Sequence, residues 1–279
     1  MKPVLVTLVF AVGSFGQGTQ PAVTNAKLET RAFSGNLGDA FKSTAPHWFG
    51  YAIKPAALHG DGGCCWGNGP GYGCGLEGTP STMADRNAKP KPVELEGPSE
   101  IGVLLRVENG AVGKVRVYSL QCPLDAGGLP FTWLTCVPPE ASLQYLETLV
   151  SASENSVADG AILAISRHNG PQSVEMLATL AKSAPSSHVR SQALFWLADR
   201  AGQRAVAAIT DAIVNDPDTK VKRQAVFALS RLPKDEGIPK LIDVATTQRN
   251  PEVRKQAFFW LGQSHDPRAI AFFQSVLSR

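Results

Sequence analysis

The chain lacks most of what marks an enzyme, a metal protein or a membrane protein. Beyond its first 16 residues, no apolar run approaches the roughly 20 residues of a spanning helix. There is no C-x-x-C redox motif, and no cysteine pair at the short spacing of a structural zinc site. The run Gly67-Asn68-Gly69-Pro70-Gly71-Tyr72-Gly73 is followed by no Lys-Ser/Thr and no helical pattern, so it is not a phosphate-cradling loop. No nucleophile, base and orienting group stand in a readable pattern. A large charge excess is missing too: 27 Lys plus Arg against 24 Asp plus Glu leave +3. Such a balance announces neither nucleic acid nor an acidic membrane as a partner. No catalytic residue, cofactor or metal site is therefore expected, and no nucleic-acid partner.

What the chain does have is a period. Val157, Val189, Val221 and Val253 stand 32 residues apart. Four residues after each comes Ala161, Ala193, Ala225 or Ala257, and eight after it Ile165, Leu197, Leu229 or Leu261. A fixed period of this length marks a stacked repeat array. Each unit reads as two short antiparallel helices. In the first, the residues 0, 4, 7 and 8 from the valine share a face. Ser186, Asp218 and Asn250 fall where N-caps belong, and Pro251 at the first helical position. Turns follow at Asn169-Gly170-Pro171, Ala201-Gly202, Pro233-Lys234-Asp235 and His265-Asp266-Pro267. The second helices carry a buried i, i+3, i+7 stripe: Val174, Leu177, Ala181; Val206, Ile209, Ile213; Ile238, Leu241, Ala245; Ile270, Phe273, Leu277. Leu143, Leu146 and Val150 share a face of a further helix that caps the array.

The segments VRSQALFWLADR, VKRQAVFALSR and VRKQAFFWLGQSHDPRAI resemble HEAT repeats of the short phycobilisome-lyase-like type. The resemblance covers residues 157–279 and implies a fold, an α-solenoid of about four helical hairpins. The first unit, VADGAILAISRHNG, departs from it, with Ala158 in place of a base. Phycobilisome-type lyases share such repeats, but a fold does not carry a function with it.

The rest of the chain reads differently, and the whole as α+β. Residues 1–16, MKPVLVTLVFAVGSFG, have the charged start, apolar core and small −3 and −1 residues of a secretory signal cleaved before Gln17; the competing reading is a membrane anchor. Residues 17–26 read as a polar linker, 27–137 as a cysteine-containing β-rich domain, 138–156 as the capping helix and its connection. His47–Ile53 is a candidate strand. Val103–Val107 and Lys114–Tyr118 flank Asn109-Gly110, a hairpin signal. From His59 to Ser99 there are 10 glycines and 5 prolines, an irregular surface loop. This part resembles β segments that precede HEAT arrays in exported bacterial proteins, which implies no activity.

An exported chain meets an oxidising compartment, so Cys64, Cys65, Cys74 and Cys122 are expected to form two disulfides, in any of three pairings. Cys136 is then the odd thiol. The competing reading is a redox or metal site with His47 or His59. His168, His188 and His265 read as solvated turn residues. The bases after the repeat valines, Arg190, Lys222, Arg223, Arg254 and Lys255, read either as an anion-binding ridge or as partners of acids in neighbouring turns such as Asp216, Asp218 and Glu252.

The expected function is a protein- or peptide-binding scaffold of the cell envelope, periplasmic or extracellular, with no membrane span once the signal is cleaved. The alternative is an enzyme or cofactor-handling protein with a site between the N-terminal part and the repeats. The candidate partner surface lies six residues after each valine, at Leu163, Phe195, Phe227 and Phe259, about 240° around the helix at about 100° per residue. Gln192, Gln224 and Gln256 border the phenylalanines, with Ser191, Arg223 and Lys255 one position earlier. The competing reading is that neighbouring elements cover the rings.

Overall fold

The structure, a computed structural model, describes residues 20–56, 74–77, 100–152, 154–200 and 202–278. The signal-like segment, His59, Cys64 and Cys65 lie outside the described residues.

The N-terminal part is built on a five-stranded sheet of order β2-β8-β3-β5-β6. Its strands are β2 (Leu28–Ala32), β3 (His47–Ile53), β5 (Ile101–Glu108), β6 (Ala111–Ser119) and β8 (Phe131–Thr135). The β5–β6 hairpin turns at Asn109 and Gly110, both with positive φ, as the Asn-Gly signal predicts. β3 pairs antiparallel with β5 but parallel with β8, and β8 parallel with β2. A smaller sheet of order β1-β7-β4 joins β1 (Val23–Thr24), β7 (Leu124–Asp125) and β4 (Cys74–Gly75).

Two expectations change here. Val23 and Thr24 fall in the expected linker, yet they pair with β7, whose two residues would otherwise leave backbone groups unmet on one side. Within the glycine-rich stretch, Cys74 and Leu76 are not surface loop: both are buried, under the large sheet with Leu124 and Ala126. Alternation along the strands explains why. Trp48, Leu104, Phe131 and Trp133 point to the face that this small sheet covers. Phe49, Tyr51, Val103, Leu105, Val107, Val115 and Val117 point to the other face, toward the helices. Cys74 and Cys122 are disulfide-bonded, while Cys136 is a free, exposed thiol.

After the four-residue α1 (Leu37–Ala40), the helices are α2 (Pro139–Ala152), the expected cap, and four hairpins: α3 (Asn155–Arg167) with α4 (Pro171–Ser183), α5 (Ser187–Ala198) with α6 (Gln203–Asn215), α7 (Thr219–Arg231) with α8 (Lys234–Thr247), and α9 (Pro251–Gln263) with α10 (Pro267–Leu277). Local chemistry sets their starts. Ser186 accepts from the Val189 N–H, Asp218 from Lys220, and Asn250 from Glu252 and Val253. The repeat valines, the alanines four residues on and the Ile or Leu eight residues on are all buried. Small alanines let helices approach, and the branched residues fill the layer between them.

The stripe on the second helices holds until the array ends. Ile209, Ile213, Ile238, Leu241 and Ala245 are buried, and Val174 and Val206 half-buried. Ile270 and Leu277, expected as core, are 55% and 86% exposed, because no described helix stacks on α10.

Sheet and solenoid share one core. The apolar cluster runs without a break from Phe49 and Tyr51 through Leu146 and Ile162 to Leu261. α3 lies against the edge strand β6 at Gly160. Behind it the Tyr51 hydroxyl donates to Ser142 Oγ, which donates to His168 Nε2, each 2.8 Å, while His168 Nδ1–H reaches the Ala164 carbonyl at 2.8 Å. His168 is therefore not a solvated turn residue: it is only 2% exposed. A buried polar group is held where all its partners are supplied, here by three separate elements.

Candidate partner-binding face

α5, α7 and α9 pack closely in series, whereas α6 and α8 barely meet. The face formed by the first helices is called the inner face, and that formed by the second helices the outer face. α6 and α8 leave a groove of about 470 Å³ on the outer face, lined by Val206, Thr210, Val214 and Lys240.

Three positions per first helix build the inner face. Ten residues after the repeat valine come Arg167, Asp199 and Arg231; six after it, Phe195, Phe227 and Phe259; three after it, Gln192, Gln224 and Gln256. On successive helices the rings meet. Phe195 stacks on Phe227 with centroids 6.1 Å apart, Phe227 packs tilted against Trp260 at 4.9 Å, and Phe259 stands edge-on to Trp260 at 4.9 Å. Trp196 meets Phe195 edge-on at 4.9 Å. The result is a continuous aromatic column across three repeats. Arg231 lies over Phe195 and Phe227, and Arg167 over Trp196, each guanidinium 5.3–6.0 Å from a ring centroid. Burial pulls the Arg167 pKa below its ordinary value, with Asp199 opposing.

The candidate residues thus share one surface, though not as equally bare rings. Phe259 is 51% exposed, while Phe195 and Phe227 are half-buried by each other and by the arginines. Sequence reasoning missed Trp196 and Trp260, placing their position, seven after the valine, on the buried face. That position holds buried Ala164 and Ala228 in alternate repeats and half-buried tryptophan in the others. The signal was there in the size of the residue. The Trp260 indole N–H is buried with no hydrogen-bond partner among the described residues. Beside it lies a groove of about 340 Å³ between α7 and α9, lined by Lys220, Arg223, Gln224, Phe227, Gln256 and Trp260.

The bases divide into two sets. Arg190 holds Asp216 through Nε at 2.7 Å and Nη2 at 3.1 Å and caps the Ala184 carbonyl. Lys222 caps Val214 O, and Arg254 caps Gln248 O and Arg249 O. These are structural, binding the carbonyl ends of the preceding helices. Arg200 likewise holds the carbonyls of Ser166 and His168. Lys220, Arg223 and Lys255 are exposed and make no side-chain hydrogen bond or ion pair among the described residues. The side chains of Gln192, Gln224 and Gln256 are free of hydrogen bonds in the same sense.

On the first hairpin the same face is occupied. Gly160 stands at the glutamine position, and β6 lies on it. The protein's own sheet thus covers the start of the strip and leaves repeats two to four bare.

A family model for HEAT repeats matches residues 206–279. The C-terminal part of this chain is a HEAT-like helical solenoid. Among solved structures, the chain is similar to the complex of CpcE and CpcF of phycocyanin lyase from Nostoc sp. PCC7120, at 18% identity and TM-score 0.40 over 50% of this chain and 91% of that one. It is similar also to YibA of E. coli, at 20% identity and TM-score 0.35 over 47% and 50% of the two chains. Human deoxyhypusine hydroxylase in complex with glycerol follows, at 21% identity and TM-score 0.32 over 50% and 56%. Likenesses of this size bear on neither activity nor partners. No curated protein matches the chain.

The other sequence candidates do not gather around the HEAT face. His47 Nε2 sits 2.8 Å from Thr132 Oγ1, its ring against Phe49, and burial lowers its pKa. His188 Nε2 bonds Asp159 at 2.6 Å. Among the described residues the junction between sheet and repeats, where the alternative reading needs a polar cleft, holds a shared apolar core and the buried Tyr51–Ser142–His168 chain. No helix among them is long and apolar enough to cross a membrane.

Proposed function

We propose that the chain is a non-catalytic protein-binding scaffold acting in the cell envelope, and that it holds its partner on the inner, first-helix face of HEAT repeats two to four. One observation carries the reading. An aromatic column bordered by unpaired glutamines and bases continues a face whose first part the protein already uses to seat its own sheet. Apolar rings ringed by polar groups are the make-up of an interaction surface. The signal-like segment and the cysteine content support the envelope setting.

The test is site-specific photo-crosslinking in intact cells. A photoreactive residue replaces Phe259 or Gln256 on the inner face, and Val214 on the outer face as the contrast. The expected result is a protein adduct of defined mass from the inner positions alone. Adducts from Val214 alone, or none from Phe259 and Gln256, would move the surface elsewhere. In parallel, Phe195→Ser, Phe227→Ser and Phe259→Ser together should abolish the adduct formed through Gln256.

A further inference from the structure

We propose that the partner presents an acidic, extended peptide segment carrying apolar side chains, read about three residues per repeat. This rests on the scaffold reading above and adds the chemistry of what is bound.

Charge comes first. On the first helices Arg190, Lys222, Arg231 and Arg254 hold the array's own carbonyls or carboxylates, but Lys220, Arg223 and Lys255 do not. All three are exposed, and Lys220 and Arg223 wall the α7–α9 groove directly. The acids near the face are Asp199, engaged by Arg231 at 2.6 Å, Asp218, which caps its own helix beside Lys220, and Glu252 at the far end. The unspent charge is therefore positive, and a carboxylate-bearing partner complements it.

Main chain comes second. Gln192, Gln224 and Gln256 recur once per repeat at one register, each with a free carboxamide. A carboxamide offers two N–H donors and a carbonyl acceptor, the complement of a peptide unit. Helices packed side by side lie about 8–10 Å apart, and an extended chain rises about 3.3 Å per residue. One glutamine thus meets every third residue or so, and repeats two to four span about nine residues.

The rings choose between classes of macromolecule. A single-stranded nucleic acid would need open ring faces to stack its bases. Here Phe195 and Phe227 face each other and Arg231, Trp196 faces Arg167, and Phe227 packs on Trp260. With those faces taken, apolar side chains of a peptide are the better fit to the strip. The half-exposed Phe259 closes the strip.

The experiment selects from a display library of random nine-residue peptides on the immobilised full chain at low salt. Binding of the selected peptide is then read by fluorescence anisotropy, with nine-residue oligothymidylate as a second probe. The expected consensus holds Asp or Glu with Leu, Ile or Phe, and binding weakens several-fold when salt rises from 0.1 to 0.5 M, as about halving the screening length requires. Arg223→Glu with Lys255→Glu should weaken the acidic peptide about 100-fold, two carboxylate pairs being replaced by repulsion, with helical content unchanged. Enrichment of neutral or basic peptides, no enrichment, or tighter binding of oligothymidylate through the same two bases overturns the proposal. Neutral peptides that still cross-link to Phe259 and Gln256 sink the acidic inference and leave the scaffold reading standing. No enrichment together with adducts from Val214 alone sinks both.

Discussion

Gly160 offers a test whose outcome changes sign with the docking of the sheet. It stands where the three later repeats carry glutamine. Restoring that residue, Gly160→Gln, should help an isolated helix, since glycine costs about 1 kcal/mol in a helix interior. In this fold a Cβ there would lie 2.8 Å from both the Cβ and the carbonyl oxygen of Val115. One of those neighbours is backbone of a strand already paired with β5, which cannot yield as a side-chain tip does. Overpacking costs about 1–3 kcal/mol, and a backbone wall argues for the upper end. Set against the helical gain, Gly160→Ala should lose about 2 kcal/mol, and Gly160→Gln more, because the longer side chain must push β6 away. Urea unfolding followed by far-ultraviolet circular dichroism gives the midpoint and slope for each variant. A midpoint raised by either substitution would show that β6 does not rest on α3, and the account of the strip's covered beginning would fall with it.

Leu229→Ala should cost about 2–5 kcal/mol by emptying a packed layer in mid-array, since Leu229 is wholly buried; an unchanged denaturation midpoint would show the repeat register to be wrong. His168 is held at a pKa of about 4, by burial first and by Arg200 second, against the opposing bond to Ala164. Its folded pKa lies below its unfolded value, so the unfolded chain takes up the proton first. Stability should be full above about pH 6.5 and fall by about 3 kcal/mol toward pH 4; a His168→Asn variant with the same slope across that window would assign the loss to other groups. Thiol labelling of unreduced protein should mark Cys136 alone, and labelling at Cys74 or Cys122 would contradict their bonded state.

The sequence by itself determined whatever depends on residues within a turn or two of each other. Valine, alanine and leucine at offsets 0, 4 and 8 place one helix face in contact with the next repeat, whatever lies elsewhere in the chain. Ser186, Asp218 and Asn250 cap their own helices, and Asn109-Gly110 turns its own hairpin, because each acts on backbone within three residues. The glutamine and phenylalanine registers of the candidate face follow from the same period.

Tertiary structure decided what depends on distant partners. β2 pairs with β8 across about a hundred residues, Leu28 beside Phe131, and no local pattern announces a parallel neighbour. His168 reads as a turn residue until Tyr51 and Ser142 arrive from two other elements to satisfy it. Ile270 and Leu277 keep the buried pattern of earlier repeats, yet lie open because burial needs a next helix. The aromatic column exists only because Phe195, Phe227 and Trp260, spread over three repeats, come within ring-stacking distance when the helices stack. Periodicity sets which way each side chain points; what it meets there is fixed by packing between segments that share no local sequence.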